Sequence, residues 1–232
     1  MLVTNIEVQQ MQGNNSIVFL CQSPTYILDT APNFETICDK DFKTIIEEMY
    51  KPFQNIKVNV KSNVKGDISY VCRYNETRFA FIERMCAIYK QWCYFNGKEL
   101  VIGEVENKTP VQLAYNQNCR NLKMNMQLAP INIGYYDYDA ETHQFLDHTP
   151  TKDDTGKLGL WGTQVLNKSG QVLTDKGFIY NPRNPSKKAV QDITKANAAS
   201  RAAGMFYTTG STDAYELGMC SIAAIQYYSA PQ

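Results

Sequence analysis

The stretch Tyr70–Glu104, YVCRYNETRFAFIERMCAIYKQWCYFNGKELVIGE, decides the fold. It reads as a strand, a helix and a hairpin in turn. Asn75 stands where a helix N-cap belongs, with a short side chain able to accept from the first unpaired amides. Phe79, Ile82, Cys86 and Tyr89 follow at three- and four-residue steps, which predicts one buried helical face. From Trp92 the period becomes that of a strand, and Trp92 is expected to complete the same scaffold core. Asn96-Gly97 predicts a two-residue type I′ turn with both residues at positive φ, and Leu100, Val101 and Ile102 read as the returning strand. No side chain in the stretch is an evident nucleophile, general base or metal ligand, so it reads as scaffold.

Working outward, residues 23–108 form one α+β module. Asp39 is placed as the cap of a first helix, whose Phe42, Ile45, Ile46 and Met49 recur at amphipathic spacing until Pro52 stops it. Ile56, Val58 and Val60 alternate with polar residues, predicting a half-buried strand. Residues 1–22 read as two strands around a break at Gln12-Gly13-Asn14-Asn15, and two strands alone are marginal in water, so this hairpin must lean on something. Residues 109–232 read as mainly antiparallel β. Leu122, Met124, Met126 and Leu128 alternate with polar residues, and Ile131, Ile133 and Tyr135 continue, with Tyr136 and Tyr138 on the opposite face. Val165-Leu166 and Val172-Leu173 flank Asn167-Lys168-Ser169-Gly170 as a hairpin would. Lys187 to Ala203 is alanine-rich and helix-prone, closing at Gly204 in the left-handed manner. A last strand is expected over Met219 to Tyr228.

Composition excludes several classes. The 232 residues suffice for one or two domains with a proper core. The 23 basic and 23 acidic residues cancel without a long run of either sign, which argues against nucleic-acid binding. Seven cysteines with no CxxC spacing suggest reduced thiols, with Cys72, Cys86 and Cys93 reading as small buried hydrophobes. The first ten residues lack a cationic start and an apolar core, so no signal peptide is expected, and no window is apolar enough to span a membrane. The 15 tyrosines suit strands and subunit interfaces.

Candidate chemistry is sparse. His143 and His148 lie among Asp137, Asp139, Glu141 and Asp147, but their spacing does not put two ligands one helical turn apart, and they read as solvated loop residues. Cys119 with either histidine lacks a third, orienting group, so a thiol nucleophile is not expected. Gly162, Gly170 and Gly177 read as scattered turn glycines, and Glu83-Arg84 and Glu47-Glu48 as solvated helix charges. No catalytic residue, metal or other cofactor is assigned. An alternative from another class is a carbohydrate- or peptidoglycan-binding β-rich domain, with Trp92, Trp161 and tyrosines as stacking platforms. Where the tryptophans point discriminates the two readings: Trp92, following the helical face, is expected to be buried, and Trp161, between two glycines, is the candidate for exposure.

The order of Tyr70, Arg73, Tyr74, Glu76, Phe79, Phe81, Ile82, Met85, Trp92, Tyr94, Phe95, Gly97, Leu100, Val101 and Gly103 resembles the hub region of Vgr spike proteins of type VI secretion. Those proteins share this region with the baseplate hub, or late-control, proteins of contractile phage tails. A looser block, Ser23-Pro24-Thr25 with Leu28-Asp29, extends the likeness, as does MNMQLAPINIGYYDYD further on. The resemblance implies a fold in which residues 1–22 end a first hub β-barrel, truncated here, and residues 109–232 form a second, antiparallel one. It implies a homotrimeric, non-enzymatic structural component that joins a six-fold tube to a three-fold needle. Its partners would be the tube protein and the needle segments, with no direct membrane span. Such a chain would be made in the bacterial cytoplasm and assembled into a secretion apparatus or tail, or exported with it. Tyr135, Tyr136 and Tyr138 are the expected subunit-interface residues. The oligonucleotide-fold domain and β-helical needle of a complete spike have no counterpart in these residues.

Overall fold

The computed structural model describes residues 1–11, 14–105, 109–156, 158–180 and 186–226, which fall into two units: Met1–Glu106 with Gly218–Cys220, and Asn107–Leu217 with Ser221–Gln232. Both mix helices and strands, so the fold is α+β. No helix among the described residues is long and apolar enough to cross a membrane.

In the first unit, β1 (Leu2–Met11) and β2 (Asn14–Gln22) pair antiparallel as a ribbon. Of the expected break, Gln12-Gly13 lie outside the described residues, whereas Asn14-Asn15 already belong to β2. A 3-10 turn, Pro24–Asp29, leads to β3 (Asn33–Asp41) and α1 (Phe42–Tyr50). Next come β4 (Val58–Lys61), β5 (Asp67–Glu76), α2 (Arg78–Tyr89), β6 (Trp92–Phe95) and β7 (Leu100–Gly103). β3 pairs antiparallel with β5. β7 lies between β4, to which it is parallel, and β6, to which it is antiparallel.

The first helix is capped two residues later than expected. Asp41 accepts from the Thr44 amide at 2.7 Å, while Asp39 stays in β3 with φ +49°. That amide, ahead of the Thr44 hydroxyl, holds the Asp41 carboxyl below its ordinary range. Phe42, Ile45, Ile46 and Met49 are all fully buried, as their spacing requires. The second cap is also displaced: Thr77 accepts from the Ala80 amide at 3.1 Å, and Asn75 is a strand residue at φ +50°. The buried face is also centred differently from the expected one. Phe81, Ile82, Met85 and Cys86 are buried, whereas Phe79 and Tyr89 are half-buried at the margin, Tyr89 edge-on to Phe42 at 5.5 Å. Arg84 is not a solvated charge. It donates to the Cys72 carbonyl at 2.7 Å and forks onto Glu76, tying α2 to β5.

Trp92 is exposed, not buried: 60% of its surface faces solvent. Strand alternation sends Cys93 and Phe95 toward the core and Trp92 to the other face, where its partner across the ladder, Gly103, has no side chain to cover it. Gly103 itself is obligatory. At φ +114° a Cβ would lie 2.2 Å from the Lys61 carbonyl oxygen, because β7 ends by closing onto β4. The β6–β7 connection is not a type I′ turn. Only Gly97 has positive φ, and Asn96 closes a longer loop by accepting from the amides of Lys98 and Glu99, both at 2.9 Å.

The second unit holds β8 (Val111–Ala114), β9 (Cys119–Met126), β10 (Ile133–Asp139), β11 (Gln144–His148), a 3-10 turn (Lys152–Thr155), α3 (Leu160–Val172), β12 (Gly177–Tyr180), α4 (Lys187–Ala203), β13 (Phe206–Thr212) and β14 (Ala223–Gln226). Among the described residues the strands pair as β8–β14, β9–β13 and β11–β10–β12, with no closed ring. They are not all antiparallel: β14 runs parallel to β8 and β12 parallel to β10. The hairpin expected around Asn167–Gly170 is instead the middle of α3. Leu166 and Ser169, one turn apart, are buried against Ile131, Ala202 and Met205, and this packing overrides the turn preference of Asn-Lys-Ser-Gly. Gly162 and Gly170 are therefore helical, and only Gly177 lies outside α3. Helix α4 begins at a Ser186 cap that accepts from the Ala189 amide at 3.1 Å. Gly204 closes it in the right-handed region (φ −74°), because the chain runs on directly through Met205 into β13, a strand the sequence reading missed. The last strand is shorter than expected, and residues 227–228 lie outside the described residues.

Candidate functional site: an aromatic sheet face

The sheet β11–β10–β12 presents one face to α4 and the other to solvent. Register alternation divides the three tyrosines singled out from sequence. Tyr135 and Asp137 are buried, whereas Tyr136 and Tyr138 point the opposite way. Register places Phe145 beside Tyr138, Asp147 and Tyr180 beside Tyr136, and Phe178 beside Gly134. The rings form a continuous row. Tyr180 lies 5.3 Å from Tyr136, Tyr136 6.4 Å from Phe145, and Phe145 5.2 Å from Tyr138, at tilts of 37–56°. Phe145 is 72% exposed, and Tyr138, Phe178 and Tyr180 are exposed too. Gly134 is required under this face: a Cβ there would sit 2.6 Å from the His148 carbonyl oxygen and 2.8 Å from the Phe178 ring.

The sequence reading missed Phe145, Phe178 and Tyr180. Their signal was present in the alternation of Phe178 and Tyr180 after Gly177, but only pairing across strands shows that they join the β10 tyrosines.

The turn closing β10 and β11 is built by Asp139, which accepts from the Thr142 hydroxyl at 2.6 Å and from the amides of Glu141 and Thr142. These bonds, the Thr142 hydroxyl first, hold its carboxyl below the ordinary range. His143 takes a left-handed φ of +53° in this turn, and its Nδ1 lies 3.0 Å from the Tyr138 hydroxyl. His148 is elsewhere, half-buried, with Nε2 3.8 Å from Asp154. Asp154 also faces Lys195 at 3.7 Å and accepts from the Thr151 amide and hydroxyl at 2.7 and 2.8 Å. Burial raises the Asp154 carboxyl, but the Thr151 bonds, Lys195 and His148 outweigh it, and the net direction is down. The two histidines thus have separate structural partners, and among the described residues no group of three or more His, Cys, Asp or Glu is placed to hold a metal.

All seven cysteines are free thiols. Cys119 is buried at the start of β9 opposite Thr212, away from the histidine strands in the pairing. In the first unit the thiol of Cys93 on β6, and then burial, push Cys86 on α2 far above its ordinary value.

A second apolar face lies on the β1–β2 ribbon. Val3 pairs with Cys21, Ile6 with Phe19 and Val8 with Ile17, so six apolar side chains share one face, and all six are exposed.

The fold is that of phage tail proteins. The chain is similar to the 43 kDa tail protein of prophage MuSo2 from Shewanella oneidensis, with a TM-score of 0.62 and 13% identity, over 97% of this chain and 67% of that one. It is equally similar to a tail protein from Neisseria meningitidis, with a TM-score of 0.63 and 11% identity over 97% of this chain and 68% of that one. A prophage tail protein from Listeria monocytogenes follows at 0.52 and 10% identity, over 97% and 66%. The chain thus spans about two thirds of the length of these tail proteins. No family model and no curated protein matches the sequence.

Proposed function

We propose that this chain is a structural, non-enzymatic subunit of a tail-like injection machine, and within it part of a trimeric hub that adapts a six-fold tube to a three-fold needle. The observation that carries the reading is a fold shared over 97% of the chain with tail proteins from two different bacteria. Two surface features support an assembly role. The β1–β2 ribbon and the β10–β11–β12 face are both apolar sheet faces that a monomer leaves in water, and such faces mark interaction surfaces. A ring of identical subunits needs two different complementary surfaces per chain, and the molecule has two such faces to offer. In this reading Tyr136 and Tyr138, joined by Phe145 and Tyr180, are interface residues, while Tyr135 supports them from the core. The second hub barrel would be completed from the short sheets of the second unit on assembly.

The test is solution mass over a wide range of concentrations. A trimer that the pair Tyr138→Ser and Phe145→Ser, or the pair Ile6→Glu and Phe19→Glu, converts to monomer is the expected result. A chain that stays monomeric at every concentration, alone and with tube protein, contradicts the hub role.

A further inference from the structure

Helix α3 carries Trp161, Gln164, Asn167, Lys168 and Gln171 at three- and four-residue steps, so an indole, three amides and an ammonium form one stripe. Two cavities border it. The first, of about 420 Å³, is walled by Met126, Leu128, Trp161 and Val165 and is almost wholly apolar. The second, of about 530 Å³, is mixed, with Asn132, Thr151, Lys152 and Gln171 beside Ile131 and Pro150 in its walls. Asn167 lines both. Its amide is oriented, because Oδ1 accepts from Lys152 Nζ at 3.1 Å, and Gln171 Oε1 accepts from Lys168 Nζ at 3.3 Å. Trp161 is 55% exposed at the apolar end.

We propose that this track binds an oligosaccharide bearing acetamido groups. A sugar ring has an apolar C–H face that stacks on an indole and a rim of groups that both donate and accept. Asn and Gln side chains also do both, which is what hydroxyls and acetamides require. At 1.5 Å rise per residue, Trp161 to Gln171 spans about 15 Å, the length of about three sugar rings. Among the described residues no carboxylate lines either cavity, so a cationic ligand finds no partner there. An apolar peptide would bury the amides and lysines without partners, which costs free energy. The site stands apart from the assembly role, since it lies on α3 and not on either apolar sheet face.

The test uses the Trp92→Phe variant, in which Trp161 is the single remaining tryptophan. Titration with the N-acetylglucosamine trimer should shift and saturate the Trp161 emission, with maltotriose binding at least about tenfold more weakly for want of acetamido contacts. By calorimetry, Trp161→Ala should weaken binding at least about tenfold and Asn167→Ala about fivefold, one stacked ring and one hydrogen bond respectively. Both side chains reach solvent, and circular dichroism verifies that each variant folds. An emission unchanged by the trimer into the tens of millimolar, equal affinity in Trp161→Ala, or tighter binding of an apolar peptide than of the trimer would each overturn the proposal. Glycan binding by a chain that never trimerises would sustain it while the hub reading failed.

Discussion

Arg73 gives the sharpest stability prediction. It lies on β5, is only 1% exposed, and is the largest fully buried side chain of the described residues. Among the described residues its ion pair runs from Nη2 to Glu35 at 3.4 Å, and that carboxylate is 38% exposed, so solvent screens the pair. Nε and Nη1 are buried without a partner among the described residues. Replacing Arg73 by Met keeps most of the packing volume and removes the charge. The pair is worth at most about 1 kcal/mol. Each orphaned donor costs about 1–3 kcal/mol. Arg73→Met should therefore stabilise the first unit by about 1–3 kcal/mol. Arg73→Ala should destabilise it by about 2–4 kcal/mol, because a cavity replaces the side chain. Denaturant unfolding in a Trp161→Phe background reads the first unit alone, since Trp92 is then the single indole. An Arg73→Met protein that unfolds cooperatively but is about 2 kcal/mol less stable would refute the reasoning, and would mean that the guanidinium has strong partners in the folded state.

Other predictions follow from single contacts. Thr77→Ala removes the α2 cap and should lower stability by about 1 kcal/mol in chemical denaturation. Gly103→Ala forces a Cβ into the Lys61 carbonyl at a strained φ, so soluble yield and melting temperature should both fall sharply, whereas Gly97→Ala, with nothing within 4 Å, should lose only the cost of its positive φ, about 1 kcal/mol. The lowered carboxyl of Asp154 contributes stability that is fully present above its unfolded-state value near pH 4 and is lost as pH falls through its lower folded-state value. Asp154→Asn should thus lower the melting temperature at pH 7 and flatten its dependence on pH in the acid range. A variant with an unchanged acid profile would show that Asp154 does not couple to folding.

The helical faces show where sequence reading succeeds. Phe42, Ile45, Ile46 and Met49 recur at the helical period and are all buried, and Lys187 to Ala203 is a helix at those bounds, because local periodicity and composition act on neighbours along the chain. Both caps were misplaced by two residues, since Asp39 and Asn75 are as able to cap as Asp41 and Thr77. Only the length of the β3–β5 ladder decides which of them is still strand. The largest error, a hairpin where α3 lies, has the same origin. Asn-Lys-Ser-Gly favours a turn in isolation, and contact with Ile131, Ala202 and Met205, up to 39 residues away in sequence, makes it a helix.

The candidate site divides in the same way. Tyr136 and Tyr138 were legible as one strand face because alternation is local. Their union with Phe145 and Tyr180 was not, because it depends on an antiparallel turn and on a parallel return after α3. What the sequence by itself determined was therefore period and class: the apolar face of α1, the helix over Lys187 to Ala203, and that helices and strands both occur. What only the tertiary structure decided was which strands are neighbours, which face of each meets water, and where Trp92 ends up. Those outcomes rest on pairing between distant residues, and no short window of sequence contains both partners.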